Sequence, residues 1–246
     1  MRAYVTILDG DAALLPFFVR HYRRLGATEF PVLLYGDGEN ASHVRDAIEG
    51  QGGRVPFVTI QPSEAFSARH REREIGWMHT VGEWAFFADL DEFAEITPDQ
   101  VQQAVRGTRP YIAGRWIDRV GRCGELVDVV PGVPLEAQFP MAGRLRQAWK
   151  MGDAVYVLSP RAPTLHHPTA CSWGRRHWPQ ACVRVHHFKW QTNVVRRLAD
   201  RLVRIRAAGK VGSPWAHRVR TMLAHLDTHQ GIDPNLLEEA GNVLGI

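Results

Sequence analysis

Strand-like and helix-like segments alternate through the first 106 residues, and this alternation restricts the fold more than any other feature of the chain. Short apolar runs predict four strands, at residues 4–8, 30–35, 55–60 and from residue 84 onward. Helical spacing and helix-start residues predict four helices, at residues 11–25, 42–50, 63–80 and 98–106. Strands joined by helices pair in parallel, so the chain is predicted to have an α/β fold with a mainly parallel central sheet flanked by helices.

The fourth strand-like run ends in carboxylates. Five apolar residues from Trp84 suit a strand covered on both faces, and Asp89, Asp91 and Glu92 follow it directly. The carboxyl ends of strands face the ligand crevice in an open α/β sheet, so these side chains are expected at the mouth of a site. In an extended chain, Asp89 and Asp91 would point the same way and would favour Mg2+ or Mn2+ between them. Alternatively, the carboxylates cap the next turn and stay solvated.

Composition and missing motifs exclude several classes of protein. The chain is 45% apolar and 23% charged, as in ordinary soluble globular proteins, and it contains no apolar run of the roughly 20 residues that a membrane span requires. Neither a Gly-x-Gly-x-x-Gly after the first strand nor a Walker-type Gly-Lys-Ser/Thr is present, which disfavours dinucleotide-binding folds and P-loop NTPases. The absence of a secretory leader and an odd count of three cysteines favour a cytoplasmic location.

Basic residues are concentrated in the second half of the chain. Residues 142–220 contain 16 Lys or Arg and two acids, a local charge of +14, whereas the remainder carries −10 and the whole chain +4. An acidic metal site together with a basic half would suit a substrate that brings its own phosphates. The alternatives are a solvated basic face, or a surface that meets nucleic acid or anionic lipid.

The pattern changes after residue 107. Strand-like runs are predicted at residues 111–120, 126–130, 150–158 and 182–190, and the last ~55 residues are helical in pattern. In this last part, Val195, Leu198, Leu202 and Ile205 form an apolar stripe, with arginines on the opposite face. Histidines occur as two adjacent pairs, at residues 166–167 and 186–187. Adjacent residues on a strand point to opposite faces, so one member of each pair at most is expected to reach a given site.

The motifs together resemble a known family. Leu14-Leu15-Pro16-Phe17-Phe18, then His21-Tyr22-Arg23-Arg24-Leu25-Gly26, and the acidic motif of residues 84–93 are similar to family 2-like glycosyltransferases of the GT-A fold, in particular the group placed with family 92. Lys150, His166-His167 and His186-His187-Phe188 resemble later positions of that group. The resemblance spans about residues 3–190, and the acidic motif is its specific part. It implies a GT-A catalytic domain at residues 1–190, with a nucleotide-sugar half at 1–95 and an acceptor half at 107–190. Residues 191–246 would form a helical extension packed on the same domain.

The resemblance implies a metal-dependent transfer of a sugar from a nucleotide-diphosphate donor to an acceptor hydroxyl, with inversion. Asp89 and Asp91 would bind Mn2+ or Mg2+ and the donor, and His187, or alternatively His186, would complete the metal shell. Arg69, Arg73 and Lys150 would contact the diphosphate of the donor. Asp9 and Asp37 would contact its base or ribose. The general base is predicted at Asp118, with Glu125 and Asp128 as the next candidates. A UDP-sugar is the favoured donor, although the turn Asp9-Gly10-Asp11 differs from the Lys-Asn-Glu of many relatives and leaves the base open.

The implied partners are a nucleotide-sugar donor, a glycan, lipid-linked or small-molecule acceptor, and an anionic membrane surface, but no nucleic acid. Three other interpretations compete with this one. Cys171, His177, Cys182 and His186 have the ligand types of a zinc site, with irregular spacing. The basic helix at residues 196–206 could belong to a nucleic-acid or lipid-surface binding module. A metal-dependent phosphotransferase or hydrolase could use the same carboxylates.

Overall fold

The computed structural model describes residues 1–8, 12–36, 38–63, 68–79, 82–107, 112–145, 154–159 and 182–246. The chain forms two compact units. The first comprises Met1–Trp116, Gly152–His186 and Ile246, and the second comprises Ile117–Met151 and His187–Gly245.

The helices and strands of the described residues are as follows. The helices are α1 (Leu15–Arg24), α2 (Ala41–Gly50), α3 (Ala68–Met78), α4 (Pro98–Arg106), α5 (Leu135–Gln138), α6 (Val194–Ala207) and α7 (Pro214–His229). The strands are β1 (Arg2–Leu8), β2 (Val32–Tyr35), β3 (Val58–Gln61), β4 (Ala85–Phe87), β5 (Glu92–Ala94), β6 (Ile112–Val120), β7 (Met141–Gly143), β8 (Ala154–Ser159), β9 (Cys182–His187) and β10 (Glu238–Glu239). Short 3-10 turns lie at Ala12–Leu14, Arg122–Gly124 and Pro234–Leu236.

The first unit is built on a parallel sheet. Its strands lie in the order β3-β2-β1-β4, and all three pairings are parallel. Next to β4 lies β8, which runs antiparallel to it and also pairs with the first residues of β6. The chain therefore places β2 and β3 on one side of β1 and then crosses to place β4 on the other side. The predicted α/β fold with a mainly parallel central sheet is confirmed, and its strand order reverses between β1 and β4.

Local signals set several helix boundaries. The Thr97 hydroxyl accepts a hydrogen bond from the Gln100 backbone, the Gln100 side chain accepts one from the Thr97 backbone, and Pro98 occupies the first turn of α4. This reciprocal capping fixes the predicted start of the helix. The first predicted helix starts later than expected, because Ala12–Leu14 form a 3-10 turn and α1 begins only at Leu15.

The second unit joins a small antiparallel sheet to two C-terminal helices. Its sheet pairs the end of β6 with β7, and β7 with β10. Leu198 and Ile205 on α6 are buried in an apolar core with residues of α7, as the predicted stripe requires. Val195 was predicted in the same stripe but is 44% exposed, because Val194 takes the inward position one residue earlier.

The strand predicted at residues 126–130 is wrong. This segment has no regular secondary structure, and the Gln138 side chain binds both backbone groups of its last residue, Val130. Its Oε1 accepts a hydrogen bond from the Val130 backbone at 2.7 Å, and its Nε2 donates to the Val130 carbonyl at 3.0 Å and to the Val133 carbonyl at 2.7 Å. One long amide side chain therefore satisfies backbone groups that a ladder would otherwise pair.

None of the helices in the described part of the chain combines the length and the apolar character that crossing a bilayer requires.

A buried histidine in α1 makes the first unit sensitive to acid. The His21 ring packs edge-on against Tyr22 and Phe93. Burial and, to a smaller extent, the charge of Arg24 lower the pKa of His21 to about 3. Between about pH 6.5 and pH 3 the unfolded chain binds a proton at this residue that the folded chain does not. The contribution of His21 to stability is therefore complete above pH 6.5 and is progressively lost as the pH falls.

We expect His21→Leu to reduce the loss of stability between pH 7 and pH 5 by about 2 kcal/mol, since 1.5 pH units correspond to that free energy. The measurement is the free energy of urea unfolding at both pH values. His43→Leu, on the exposed side of α2, is the control and should keep the pH dependence of the parent protein. An equal pH dependence in His21→Leu and the parent would contradict the prediction.

Candidate functional site

The acidic motif forms a tight turn between β4 and β5. The Glu92 backbone N–H donates to the Asp89 carbonyl at 2.9 Å, and the Asp89 backbone N–H donates to Glu92 Oε2 at 3.1 Å. Leu90 is buried, whereas Asp89 and Asp91 are half-buried. The strand thus ends before the carboxylates, and the extended geometry expected for residues 89–91 is wrong, because these two hydrogen bonds close a turn instead. Asp89 and Asp91 nevertheless lie directly after a buried strand, as predicted.

Glu92 holds this turn from inside the protein. Its side chain is fully buried, and the Trp116 indole N–H donates to Oε1 at 2.7 Å. The Tyr22 hydroxyl donates to the Glu92 carbonyl at 3.0 Å. The position of Glu92 directly after the strand-like run predicts it at the mouth of the site beside the two aspartates. Its role is instead structural. The hydrogen bonds from the indole N–H and the backbone N–H offset the free-energy cost of burying the carboxylate.

Asp89 forms an ion pair with Arg71 on α3. The Arg71 side chain is 6% exposed and that of Asp89 is 35% exposed, so a buried cation supports a partly accessible carboxylate. Arg69 and Arg73 are the arginines predicted for this region, and Arg71 is not among the predicted site residues. Arg73 is largely exposed and lies 3.4 Å from Glu74, and the side chain of Arg69 lies outside the described residues. Arg71 lies two positions from both and therefore occupies a different side of the helix from them.

The turn lies where the strand order of the sheet reverses. Tyr4 of β1 pairs with Phe87 of β4, and both strands run in the same direction. The carboxyl end of β4 therefore lies beside the middle of β1, which continues for four more residues, to Leu8. In open α/β sheets, ligands bind outside the carboxyl ends of the strands at such a reversal. Asp89 and Asp91 follow β4 at this position. The predicted donor contacts Asp9, Asp37 and Lys150 lie outside the described residues.

His186 belongs to a second ionic cluster of the first unit. Its Nε2 lies 3.0 Å from Glu95 Oε2, and the Arg184 guanidinium lies 2.6 Å from Glu95 Oε1. Partial burial acts to raise the pKa of Glu95, but the hydrogen bonds from Arg184 and His186 outweigh it and lower the pKa below its ordinary value. Glu95 therefore stays ionised and holds both side chains.

His187 and Asp118 form a contact within the second unit. His187 Nδ1 lies 2.9 Å from Asp118 Oδ1, and the Trp190 indole N–H donates to the same oxygen at 2.9 Å. Burial acts to raise the pKa of Asp118, but the hydrogen bonds from His187 and Trp190 and the charge of Lys189 lower it overall. Asp118 is only 1% exposed and is held as a carboxylate. Its partners are thus His187 and Trp190.

The two adjacent histidines bind different carboxylates, as expected for neighbours on a strand: His186 contacts Glu95 and His187 contacts Asp118. Among the residues that the structure describes, no group of three or more His, Cys, Asp or Glu side chains is arranged to hold a metal ion. The other predicted base candidates, Glu125 and Asp128, are exposed, and the Thr192 hydroxyl donates to Asp128. Two members of the zinc alternative, Cys171 and His177, and the side chain of a third, Cys182, lie outside the described part.

Comparisons with known proteins give the following. No family model and no curated protein matches the chain. Among solved structures, it matches the galactosyltransferase LgtC in complex with donor and acceptor sugar analogues, at 16% identity and a TM-score of 0.31 over 50% of this chain and 47% of that one. It also matches the inositol-1-phosphate CTP transferase of T. maritima, at 13% identity and a TM-score of 0.32 over 52% of this chain and 60% of that one. A mycobacterial protein matches at 17% identity and a TM-score of 0.39, over 82% of this chain and 74% of that one.

The chain therefore spans less than two thirds of the length of the first two structures. At these TM-scores the likeness carries no functional argument, and the activities named are those of the matched proteins. The fold and the acidic turn define the class of molecule. It is an α/β protein that carries an acidic turn at the point where the strand order of its parallel sheet reverses.

Proposed function

We propose that the protein is a metal-dependent glycosyltransferase of the GT-A type, which moves a sugar from a nucleotide-diphosphate donor to an acceptor hydroxyl. The observation that carries this proposal is the place of the acidic turn. Two partly accessible aspartates follow a buried strand at the point where the order of the parallel strands reverses. That point is where sheets of this kind bind phosphate-bearing ligands.

The residues of the turn fit a hard divalent cation. Mg2+ is commonly held by one or two carboxylates together with water and substrate phosphates, and Mn2+ accepts the same ligands. Asp89 and Asp91 supply the two carboxylates, and the Glu92 hydrogen bonds fix the backbone that carries them. Bound there, the cation would neutralise charge that develops on the departing diphosphate.

Arg71 is the basic residue whose place best fits a role in this site. It pairs with Asp89 from a buried position, so it can balance the carboxylate before a ligand binds and turn towards a phosphate afterwards. We retain Arg69, Arg73 and Lys150 as proposed diphosphate contacts. Asp9 and Asp37 stay proposed contacts to the nucleoside of the donor, with a UDP-sugar favoured.

His187 stays the proposed third metal ligand, although Asp89, Asp91 and His187 do not form a group that is arranged to hold a metal ion in this structure. Histidines that bind metals almost always donate their other ring N–H to a carboxylate, a backbone carbonyl or water, and the contact between His187 Nδ1 and Asp118 matches this pattern. Asp118 therefore has a positioning role towards His187. Its predicted role as the general base of an inverting transfer would in addition require an acceptor hydroxyl to reach a buried side chain, and the exposed Glu125 and Asp128 are the next candidates.

The decisive experiment is a thermal-shift panel of UDP, GDP, CDP and dTDP sugars with and without Mn2+. We expect one nucleotide class to stabilise the parent protein only when the metal is present. Asp91→Asn removes one charged ligand and should weaken this joint binding about 100-fold or more, since even outer-shell partners of a metal contribute 10–100-fold.

Asp46→Asn on α2 is the matched control, because it makes the same chemical change at an exposed residue away from the turn. It should bind metal and nucleotide like the parent protein. Equal binding by Asp91→Asn and Asp46→Asn would contradict the proposed site. Metal binding with hydrolysis of the donor and no transfer to any acceptor would favour the phosphotransferase or hydrolase interpretation.

A further inference from the structure

The side of α6 that faces solvent carries an apolar stripe. Val195 is 44% exposed and Val203 is 65% exposed, and Ala199 lies exposed between them. These residues are spaced by four, so they lie on one side of the helix. A helix that packs one stripe in the core normally has a polar opposite face. A second apolar stripe in water therefore requires an explanation.

Basic residues flank this stripe. Arg196 precedes Val203 by seven residues and Arg206 follows Val195 by eleven, and both spacings return to the same side of an α-helix. Both arginines are exposed. We call this surface, made of Val195, Arg196, Ala199, Val203 and Arg206, the basic-apolar face.

The surrounding segment has the same character. Residues 194–220 contain eight Lys or Arg and one acid, Asp200, a local charge of +7. The turn after α6 exposes Lys210 and Val211, and Trp215 at the start of α7 is half exposed, with the Arg201 guanidinium 5.9 Å from its ring centroid. Of the nine large apolar side chains exposed in the described residues, four lie between positions 195 and 215.

We infer that the basic-apolar face binds the surface of an anionic lipid bilayer, with the valines inserted among the headgroups and the arginines against lipid phosphates. Interfacial helices combine a lipid-facing apolar side with Lys and Arg, and Trp is enriched at the same depth. The charge complements that of an anionic leaflet. Nucleic acid would use the arginines but would gain little from exposed valines, because its non-specific binding is electrostatic. This inference uses residues other than those of the proposed active site and stands independently of the proposed function.

The test is cosedimentation of the whole chain with vesicles. We expect binding to vesicles of phosphatidylcholine with 30–40% phosphatidylglycerol, roughly the anionic content at which basic segments adsorb, and none to pure phosphatidylcholine. Arg196→Gln with Arg206→Gln should weaken binding about 30-fold, since each basic residue near such a surface contributes about fivefold. Val195→Gln with Val203→Gln should weaken it about tenfold or more and should make the remainder more sensitive to salt.

Matched controls lie on exposed residues elsewhere. Arg106→Gln with Arg122→Gln removes two charges, and Val133→Gln removes an exposed valine, and each should bind vesicles like the parent protein. Circular dichroism and the melting temperature establish that each variant is folded. Undiminished binding by the valine pair would overturn the inference, since adsorption by charge alone needs no apolar stripe. Equal binding to neutral and anionic vesicles, or binding to duplex DNA with none to vesicles, would also overturn it.

Discussion

Gly124→Ala should destabilise the protein by roughly 4 kcal/mol, the largest effect we expect from a single methyl group. Gly124 has a φ of +87°, in the region that favours glycine, and its carbonyl accepts a hydrogen bond from the Ile232 backbone at 2.8 Å. A Cβ added at this residue would overlap the backbone oxygen of Ile232. Because that neighbour is backbone, it cannot move aside as a flexible side chain would, and the segment after α7 would have to separate from the Arg122–Gly124 turn.

Gly132→Ala separates the cost of backbone strain at positive φ from the cost of the steric overlap. Its φ of +82° is almost the same, but an added Cβ there meets no atom within 4 Å. We therefore expect this variant to lose only about 1 kcal/mol from backbone strain. The measurement is the free energy of urea unfolding of both variants. Losses of equal size would contradict the prediction, because they would show that φ alone determines the cost.

The elements that could be predicted from the sequence are those whose signals lie within a few adjacent residues. The start of α4 depends on Thr97, Pro98 and Gln100, and the four parallel strands follow from short apolar runs separated by helices. Each of these features needs only local backbone geometry and the burial of one face. Local patterns do not encode the strand order β3-β2-β1-β4. Its reversal depends on the side of β1 to which the chain crosses before β4.

The errors have a common cause in contacts between distant parts of the chain. A strand was predicted at residues 126–130 from its apolar content, but the segment is irregular and the distant Gln138 side chain binds both backbone groups of Val130 at its end. Val195 was placed in the core by its spacing alone, although Val194 fits the inward position equally well and is the residue that is buried. In both cases several local solutions exist, and packing against a remote element selects one.

The candidate site likewise combines local features that could be predicted with long-range contacts that could not. The position of Asp89 and Asp91 after a buried strand is a local property and was predicted. The partners of the site residues were not, because Arg71 reaches Asp89 from α3 and because His187 meets Asp118 from 69 residues away. Buried ion pairs and hydrogen bonds of this kind leave little trace in residue spacing, since any of several arginines or histidines could supply them.

Glu92→Gln should lower the free energy of unfolding by about 3 kcal/mol and should also abolish the proposed joint binding of metal and nucleotide. The carboxylate accepts two hydrogen bonds, from the Trp116 indole and from the Asp89 backbone. An amide has one acceptor oxygen, so its NH2 group must face one of these donors, which then stays buried without an acceptor. The turn that carries Asp89 and Asp91 would relax, and two carboxylates that move independently bind a cation less well than two that are held in place.

Glu49→Gln, at an exposed position on α2, is the control for the chemical change and should alter stability by less than about 0.5 kcal/mol. Trp116→Phe tests the cause, because it removes the indole donor while keeping an aromatic ring. In that background the glutamine oxygen can accept from Asp89 while its NH2 group faces an apolar ring, so Glu92→Gln should cost less than it does in the parent protein. Additive effects of the two substitutions would show that the hydrogen bond from Trp116 does not hold the turn.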